Sequence, residues 1–457
     1  MSLPRRTAAL LGCGIAVTLA LSGARIAAAQ TPPSYIQNNI GLQGFLDGEG
    51  IRLRSTEERG IRLGQLVLWP SFFLEGRWDS NLFQVEEDAE PRSVPVIRLV
   101  PGLALTNLNP TTFSYEFGTE VDVRIYASGD ETLQEQTNAG VKADARFTIL
   151  PKGAVSITLQ DSFRRTLSSQ NTETRSTYNR NTNRVGARVD VKPGGGALVF
   201  IAAYDFVFNA FDDFDRGEYM SHDVVFRTAW RFYPKTEAFL DASLSIWNWS
   251  TDPEFQSVFE DNMPLRVVAG LNGFVTKKLA LLAKVGYGNS FHDNGPSYEN
   301  AIGQAELAYT FSPSLLLAAG FVRDFSPSYY GNFFVENRTY LRSQLRFMRQ
   351  FAIDLSAAYH YVEFAEFDPI AADPDSANDG TYTVVSHKER QDHQVSAHLR
   401  FNVELTRWLG LSVGYEFRGV FTDFKLTSRA ANTGDFDYID AGAYVRHQVY
   451  GSLNVVY

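Results

Sequence analysis

The stretch VRHQVYGSLNVVY, residues Val445–Tyr457, has the two-residue rhythm of a strand with one apolar and one polar face. Its apolar positions are Val449, Gly451, Leu453, Val455 and Tyr457, and its polar positions are Arg446, Gln448, Ser452 and Asn454. Successive side chains of a strand point to opposite faces, so each set shares one face. A bare strand edge invites aggregation, whereas a closed barrel pairs its last strand with its first. We therefore expect this stretch to close a barrel, with its apolar face towards lipid.

The same alternation recurs along the chain and is clearest in the third predicted strand. There Phe113, Tyr115, Phe117, Val121, Val123 and Ile125 share one face, and Ser114, Glu116, Glu120, Asp122 and Arg124 share the other. The repeated pattern predicts about 18 strands. They lie near 66–83, 94–106, 113–125, 138–150, 154–165, 184–192, 198–208, 221–233, 237–247, 265–275, 279–291, 301–311, 315–325, 334–348, 351–362, 392–405, 409–420 and 445–457.

The connections between these strands alternate between short and long. Short ones include 151–153, 193–196, 234–236, 312–314 and 406–408, and long ones include 167–182, 250–263, 363–390 and 421–444. Outer-membrane barrels have short periplasmic turns and longer extracellular loops. The sequence contains no amphipathic helices that could cover the apolar faces as a second layer. The prediction is an all-β, closed antiparallel transmembrane β-barrel in the bacterial outer membrane.

The N-terminus resembles a secretory signal peptide, with Arg5 and Arg6 before an apolar run and a small-residue site at Ala27–Ala29. We therefore expect a signal peptide at 1–29, a periplasmic N-terminal extension at 30–62 and the barrel at 63–457. The segment Leu10–Cys13 also resembles a lipoprotein box, but the apolar run continues past it, which disfavours that interpretation. Cys13 is the only cysteine, so the exported chain is expected to lack disulfides and cysteine metal sites.

Composition narrows the function further. The net charge of −10 argues against nucleic acid as a partner. The 34 Phe, 21 Tyr and 6 Trp suit a barrel with aromatic girdles at both membrane interfaces. In the first strand we expect Trp69 and Trp78 to mark the two membrane boundaries, with a bulge or bend accommodating Pro70.

The polar face of the predicted strands carries both charge signs. The residues predicted to line the lumen are Arg124, Arg146, Arg188, Arg227, Arg231, Arg338, Arg342, Arg346, Glu116, Glu120, Asp122 and Glu404. One interpretation is a wet lumen whose charges bias which solutes pass. The other is a set of salt bridges that stiffen the wall or hold a plug. An 18-stranded ring encloses more space than side chains fill, so water is expected inside unless a loop folds in.

Other candidate sites give weaker signals. Asp368, Asp373, Asp375 and Asp379 crowd one loop and could bridge lipopolysaccharide phosphates through a divalent cation, although a solvated loop is the simpler interpretation. The sequence contains no hydrolase elbow, zinc-protease motif or phosphate loop, and we predict no enzyme, no cofactor and no metal site. A lipid hydrolase that uses His360 or His398 with Ser356 or Ser396 is kept as a minor alternative.

Several motifs resemble a known family. They are Gly60–Gly64 (GIRLG), Leu68–Ser71 (LWPS) and Trp78–Phe83 (WDSNLF), followed near the C-terminus by Arg390–Asp392 and the last three strands. Together they resemble proteobacterial outer-membrane barrels known as β-barrel porin type two, over roughly residues 60–457. The resemblance implies an outer-membrane barrel linked to export of surface polysaccharide. It carries over no catalytic or binding residues, and Asp79 and Asn81 are expected to be structural.

The resulting prediction is a porin-like channel for passive passage of solutes, or of a secreted polysaccharide, through a charged lumen. The alternative is a non-conducting structural barrel or an adhesin that acts through its extracellular loops. Expected partners are outer-membrane lipid and lipopolysaccharide, and the outer-membrane assembly machinery, which would recognise the C-terminal strand. The family resemblance adds polysaccharide-export components to these partners.

Overall fold

The structure, a computed structural model, describes most of the chain from residue 60 onwards. The described ranges are 60–87, 90–108, 110–167, 179–212, 217–250, 260–328, 332–348, 350–366, 382–385, 389–429, 436–440 and 442–456. The predicted signal peptide, nearly all of the predicted N-terminal extension, the four loop aspartates and Tyr457 lie outside these ranges. The domain boundaries proposed for the N-terminal part therefore stay predictions.

The described residues form 22 strands and little helix. The strands are β1 (Ile61–Leu63), β2 (Leu66–Asp79), β3 (Val94–Asn107), β4 (Phe113–Tyr126), β5 (Asn138–Ile149), β6 (Val155–Thr166), β7 (Arg180–Val191), β8 (Leu198–Phe211), β9 (Tyr219–Tyr233), β10 (Thr236–Trp249), β11 (Leu265–Phe274), β12 (Leu279–Asn289), β13 (Glu299–Ser312), β14 (Leu315–Pro327), β15 (Phe333–Phe347), β16 (Phe351–Phe364), β17 (Tyr382–Val385), β18 (Gln391–Glu404), β19 (Leu409–Phe421), β20 (Lys425–Arg429), β21 (Phe436–Asp440) and β22 (Tyr444–Val456). The helical elements are α1 (Glu131–Gln134) and a 3₁₀ turn at Pro193–Gly195.

Eighteen antiparallel strands close into a ring, which confirms the predicted fold. The ring runs from β2 to β16 and then through β18, β19 and β22. It is closed by β22 and β2, which pair from Ser71 opposite Val456 to Asp79 opposite Gln448. The strand β1 pairs only with the start of β2, and β17, β20 and β21 form a separate small sheet. Closure removes the free sheet edge that an open arrangement of these strands would expose.

The connections alternate in length, so the two ends of the ring differ. The short-turn end carries both ends of the described chain and tight links such as the one between Tyr233 and Thr236. The long-loop end carries the longer links and the small sheet of β17, β20 and β21. The helix α1 also lies in a long link, where the Asp130 side chain caps it by accepting from Thr132 N.

The pleat of the strands separates an apolar outer face from a polar face. Outer-face side chains such as Val285, Val413 and Trp230 are 68%, 59% and 57% exposed. Apolar surface of this extent around a closed ring is suited to lipid, and closed barrels are the sheet structures that satisfy their backbone within a bilayer. The protein is therefore an outer-membrane β-barrel, as predicted. Within the described ranges, no helix combines the length and the apolar character needed to cross a bilayer.

Strand β2 corrects two expectations. Trp69 and Trp78 are separated by an odd number of positions, and β2 pairs with β3 without a bulge from Leu66 to Asp79. The two rings therefore face opposite sides: Trp78 is 46% exposed, whereas Trp69 Nε1 donates to Thr106 Oγ1 at 3.2 Å. The prediction that Trp69 marks a membrane boundary is wrong, because no bulge restores a common face.

The position of Pro70 explains why no bulge is needed. On the edge of β2 away from β3, β1 pairs as far as Leu68 and β22 begins to pair at Ser71. Proline cannot donate a ladder hydrogen bond, and here it lies at the break between two neighbouring strands. Strand β2 also ends at Asp79 rather than near Phe83, because the Asn81 side chain bonds the main chain of Val85 and bends the backbone there.

Candidate functional site

The candidate site is the polar face of the barrel, defined as the strand positions that alternate with the exposed apolar ones. Several of its contacts join strands that are not neighbours. Arg266 on β11 reaches Asp324 on β14 at 3.0 Å, and Gln160 on β6 reaches Asp205 on β8 at 2.9 Å. Adjacent strands lie about 4.8 Å apart, so these side chains span about 10–14 Å of wall. Side chains converge in this way only on the concave side of a curved sheet.

In β4 and β5, the predicted residues form cross-strand ion pairs. Glu116 lies directly opposite Arg146, with 3.2 Å between Oε2 and Nη1. Glu120 lies opposite Lys142, with 3.3 Å between Oε2 and Nζ. Opposite charges placed across an antiparallel pair stabilise the sheet modestly. These acids are therefore neutralised by the neighbouring strand.

Asp122 holds two arginines at once. Arg98 Nε donates to its Oδ1 at 2.7 Å, and Arg124 Nη2 donates to its Oδ2 at 3.0 Å. Arg124 also donates to the main-chain oxygen of Leu167 at 3.0 Å. The site thus includes Arg98, which the sequence analysis did not select, although its even-numbered position on β3 places it on the polar face.

The predicted arginines of β7 and β9 are also paired. Arg188 binds Asp190, two residues along the same strand, with a shortest distance of 2.6 Å. Arg227 is 4% exposed and donates to Glu237 at 2.8 Å and to Asp241 at 3.2 Å. Arg231 is 4.0 Å from Glu237 and half-exposed. We call the polar face of β4–β10 the paired arc, because each predicted lumen arginine in it lies within 4.0 Å of a carboxylate.

Arg227 also lies over an aromatic ring. Its guanidinium carbon is 4.4 Å from the centroid of Phe239, and the Phe239 ring in turn covers Gly270 on β11. A guanidinium above a ring face adds a favourable electrostatic contact. The buried cation is therefore held from one side by two carboxylates and from the other by a ring.

Across the barrel, β15 arranges its arginines around a tyrosine. The guanidinium carbons of Arg342 and Arg338 are 4.8 Å and 5.7 Å from the centroid of Tyr340. The Tyr340 hydroxyl donates to the carboxylate of Glu306, and its ring covers Gly320 on β14. Among the described residues, no carboxylate lies within 4.0 Å of the Arg338 guanidinium, and its Nε lacks a hydrogen-bond partner.

A second tyrosine of this kind lies on the last strand. Tyr450 Oη accepts from Arg400 Nε at 2.9 Å and bonds His398 Nε2 at 2.8 Å, while its ring covers Gly414. Arg400 has no carboxylate partner within the described ranges, and neither does Arg418, which is exposed. We call the polar face of β15, β16, β18 and β19 the open arc.

The two remaining predicted residues lie at the short-turn end of the open arc. Arg346 is exposed, and its main-chain N–H donates to Ser314 O at 2.7 Å. Glu404 ends β18, and its main-chain N–H donates to Gln350 O at 2.8 Å. Both belong to the polar face by strand position. The structure thus distributes the twelve predicted residues around the ring and does not bring them together in one cluster.

The closing seam holds a further group of charges, of which Glu75 and Arg77 were not predicted from the sequence. Asp79, on the first ring strand, accepts from Arg446 Nε at 2.9 Å and from Gln448 Nε2 at 2.6 Å on the last. Arg77 bonds Glu75 at 2.9 Å and Glu416 at 3.1 Å. The sequence feature that could have revealed this group is the two-residue spacing of Glu75, Arg77 and Asp79 along β2. The expected structural role of Asp79 agrees with its position at the seam.

The long-loop end of β14 lies against the polar face of β11–β13. Arg266 Nη2 donates to the main-chain oxygen of Phe325 at 2.6 Å, and its guanidinium carbon is 4.1 Å from the ring centroid. The Phe325 ring stacks on Tyr298 at 4.4 Å and covers Gly288 on β12. No sequence pattern predicted this contact, because it depends on how β14 bends across three neighbours.

The adjoining loop, 290–298, is built around the half-buried His292. His292 Nδ1 bonds Ser290 Oγ at 2.9 Å, and Ser297 Oγ accepts from the His292 main chain at 2.9 Å. Burial lowers the pKa of His292 to about 4, and the lesser influences of the Asn332 backbone and the Asp293 charge oppose this shift. The imidazole is therefore neutral at pH 7.

The hydrolase candidates do not form a catalytic arrangement. Ser356 lies directly opposite His398, but His398 Nε2 bonds Tyr450, and His360 Nδ1 bonds Glu336 at 2.6 Å. Among the described residues, neither Ser356 nor Ser396 hydrogen-bonds a histidine. Within the same ranges, no three His, Cys, Asp or Glu side chains cluster as metal ligands would.

No family model matches the chain, and no curated protein matches it either. The resemblance to β-barrel porin type two therefore stays a prediction. Solved structures similar to the chain include the outer-membrane protein OpdK of Pseudomonas aeruginosa, at 10% identity and a TM-score of 0.45, covering 85% of this chain and 99% of OpdK. OccAB4 of Acinetobacter baumannii has 10% identity and a TM-score of 0.45, with 85% and 98% covered. The siderophore receptor PirA of P. aeruginosa has 10% identity and a TM-score of 0.43, with 87% and 81% covered.

Proposed function

We propose that the barrel is a channel that lets solutes pass passively through a charged, water-filled lumen. The observation that carries this proposal is the concave polar face, where charged side chains such as Arg231 and Arg418 are exposed. Rings of 16–18 strands enclose an aqueous channel unless a segment fills them. Because exposed charges need water, the concave face is best explained as the wall of a wet passage.

We infer that the twelve predicted residues line this passage. Their strand positions are those of the polar face, and several of them make the ion pairs described for the paired arc. In that arc, each predicted arginine lies within 4.0 Å of a carboxylate, so its contribution to the field in the lumen is small. In the open arc, no described carboxylate lies within 4.0 Å of the guanidinium of Arg338, Arg400 or Arg418. We therefore expect a modest preference for anions, set by the open arc.

We further infer that the long-loop end of β14 narrows the passage. Arg266 holds the Phe325 main chain against β11–β13. The backbone and the buried ring of Phe325 therefore form a second layer on the inside of the wall at this end. The narrowing leaves the open arc exposed, because that arc lies on the strands that follow β14. Solute size would then be limited at the long-loop end, and charge preference would be set by the open arc.

Single-channel recording in planar lipid bilayers tests the proposed function. We expect discrete conductance steps from the folded protein and none from a heat-denatured sample of the same preparation. Folding is checked beforehand by the mobility shift that barrels show on heating in detergent gels. A folded barrel that gives no steps would contradict the channel and favour a structural role.

Passage of a polysaccharide is a finer form of the same proposal, and it derives from the family resemblance alone. Liposome swelling with neutral and anionic oligosaccharides of increasing length tests it. We expect entry of short chains and slower entry as length grows. Exclusion of every oligosaccharide by liposomes that admit monosaccharides would restrict the channel to small solutes and remove the reason to expect polysaccharide-export partners.

An adhesin or scaffold is the second candidate, and one observation favours it. Strands β17, β20 and β21 from two different long links pair into a small sheet at the long-loop end, with Tyr382 opposite Arg429 and Lys425 opposite Asp440. An ordered sheet outside the ring offers a surface for another molecule. Deleting 425–440 separates the two functions, since a channel keeps its conductance and an adhesin loses binding to cells or matrix.

The C-terminal strand is proposed as the contact for the outer-membrane assembly machinery. Its apolar positions alternate through β22, which closes the ring against β2. Replacing Leu453 with Asp would place a charge on the lipid side of that strand, and we expect less folded barrel in the membrane at equal expression. Ser452→Asp, on the polar face, is the matched control.

A further inference from the structure

A three-residue pattern recurs on the outer face near the long-loop end. Each copy consists of a tyrosine, a second aromatic residue two positions later, and a histidine on the next ring strand. The three copies are Tyr204, Phe206 and His222; Tyr359, Tyr361 and His393; and Tyr415, Phe417 and His447. The register places each histidine directly opposite the second aromatic residue. We call the hydrogen-bonded partners the tyrosine–histidine pairs.

The geometry of the pairs is nearly constant. The distance from tyrosine Oη to histidine Nδ1 is 2.8 Å in the first pair, 2.7 Å in the second and 2.8 Å in the third. The imidazole centroid lies 5.2 Å, 5.3 Å and 5.3 Å from the ring opposite it. Three independent strand pairs thus hold an imidazole in the same way, with its Nδ1 occupied and its plane fixed by two rings.

The pairs lie at one level of the barrel. His222, His393 and His447 are the fourth, third and fourth residues of β9, β18 and β22, counted from the long-loop end. Their tyrosines are 43%, 44% and 37% exposed on the apolar outer face. Tyrosine is enriched where a membrane meets water, because its ring suits the acyl boundary and its hydroxyl suits the headgroups. We therefore expect the histidines to lie at the headgroup level of the outer leaflet.

The hydrogen bond at Nδ1 determines whether Nε2 of the same imidazole donates or accepts. When the tyrosine O–H donates to Nδ1, the proton of the neutral imidazole resides on Nε2. Among the described residues, no group hydrogen-bonds Nε2 of these three histidines. With the tyrosine O–H assigned as the donor to Nδ1, each pair presents an N–H donor outwards, and a headgroup phosphate oxygen, which only accepts, is a matching partner.

We propose that the tyrosine–histidine pairs bind phosphate groups of lipopolysaccharide in the outer leaflet. The proposal is independent of whether the lumen conducts. The pair at His393 has an acidic neighbour, because Glu363 lies on the same face directly beyond Tyr361. We therefore expect this pair to bind phosphate less well than the pairs at His222 and His447.

Binding of purified lipopolysaccharide to the detergent-solubilised, folded protein tests the proposal. The triple variant His222→Phe, His393→Phe, His447→Phe keeps a ring at each position but loses the nitrogen donors. We expect its apparent affinity to fall about tenfold, as for the loss of charge-assisted hydrogen bonds. Dephosphorylated lipopolysaccharide should bind the wild type about as weakly as intact lipopolysaccharide binds the variant.

Matched controls separate the outcomes. Tyr309→Phe changes an exposed tyrosine on the outer face at the short-turn end, and we expect unchanged affinity. Single His447→Phe provides a smaller loss should the triple variant fold poorly. The proposal is overturned if the triple variant binds intact lipopolysaccharide like the wild type, or if removing the phosphates changes nothing. Conductance steps from the triple variant would leave the channel proposal intact in either case.

Discussion

The paired arc and the open arc use arginine in different ways. In the paired arc, Arg227 is 4% exposed between two carboxylates and a ring. In the open arc, Arg418 is exposed, lies opposite Arg446 and has no carboxylate within 4.0 Å among the described residues. A desolvated ion cluster depends on every member, whereas a solvated cation can be removed at little cost. The first arc therefore contributes mainly to the rigidity of the wall and the second mainly to the field in the lumen.

The comparison teaches that charge on the wall of a barrel has two separable roles. Glu237 and Asp241 are 3% and 0% exposed at their side chains, so neither can be hydrated if Arg227 is lost. In the open arc, Arg338 and Arg400 instead lie against tyrosine rings, and no carboxylate lies within 4.0 Å of either guanidinium among the described residues. Substitutions test this distinction by comparing the stability and the ion selectivity of variants in the paired arc with those of variants in the open arc.

The largest effect is expected from Arg227→Ala in the paired arc. It leaves the buried Asp241 without its ion-pair partner and the buried Glu237 with only the half-exposed Arg231 at 4.0 Å, and we expect a loss of about 3–5 kcal/mol in the free energy of unfolding. Denaturant titration of the refolded barrel, followed by tryptophan fluorescence, measures it. Arg418→Ala in the open arc is the control and should cost under about 0.5 kcal/mol. Equal losses for the two variants would abolish the distinction between the arcs.

The next effect concerns Tyr450 on β22, whose hydroxyl bonds Arg400 and His398 of the open arc. A Cβ at Gly414 would collide with the ring of Tyr450, so Gly414→Ala must displace a ring that bonds Arg400 and His398. We expect a loss of about 1–3 kcal/mol, as for overpacking. Gly451→Ala, whose Cβ meets nothing within 4 Å, is the control in the same titration. No difference between the two would mean that the ring is not fixed on the wall.

The 290–298 loop, which joins β12 and β13 between the two arcs, is expected to have a pH-dependent stability. Burial lowers the pKa of His292 to about 4, below its ordinary value of 6.5. The stabilisation of the 290–298 loop by neutral His292 is complete above pH 6.5 and is lost as the pH falls towards 4, because the opened loop binds the proton more readily. We expect faster amide exchange in this loop at pH 4.5 than at pH 7.5, after correction for intrinsic rates, on the order of 1 kcal/mol of local stability.

His292→Phe is the control for the pH effect. It keeps a ring of similar size and removes the titrating group, so exchange in the loop should lose its pH dependence. If the dependence persists in that variant, another group is responsible, and Asp293 is the nearest titratable candidate on the same loop.

The smallest effect is expected in ion selectivity. Arg418→Gln removes an exposed positive charge and should shift the anion-to-cation permeability ratio about twofold towards cations, equivalent to about 0.4 kcal/mol. The double variant Glu116→Gln, Arg146→Gln removes an ion pair of zero net charge and should leave the ratio unchanged. Reversal potentials in a salt gradient measure both. A shift in the double variant equal to that of Arg418→Gln would place the field in the paired arc instead.

The sequence by itself determined the ring and its two faces. The alternation of side chains is a local property, and each of the predicted strands overlaps a strand of the ring, including β22, from which the prediction began. The same alternation assigned the twelve predicted residues to the polar face, and their lining of a lumen stays a prediction. It could not place Trp69, because the face of that ring depended on whether a bulge interrupts the pairing of β2 with β3.

Only the tertiary structure decided which charges meet. Asp79 and Arg446 are 367 residues apart in sequence and adjacent at the seam, because closure brings the first and last strands together. Likewise, Arg266 reaches Asp324 across two intervening strands, and the spacing of residues along one strand carries no information about such a contact. Periodicity assigns a residue to a face, whereas register, curvature and closure assign its partner, and these depend on the whole ring.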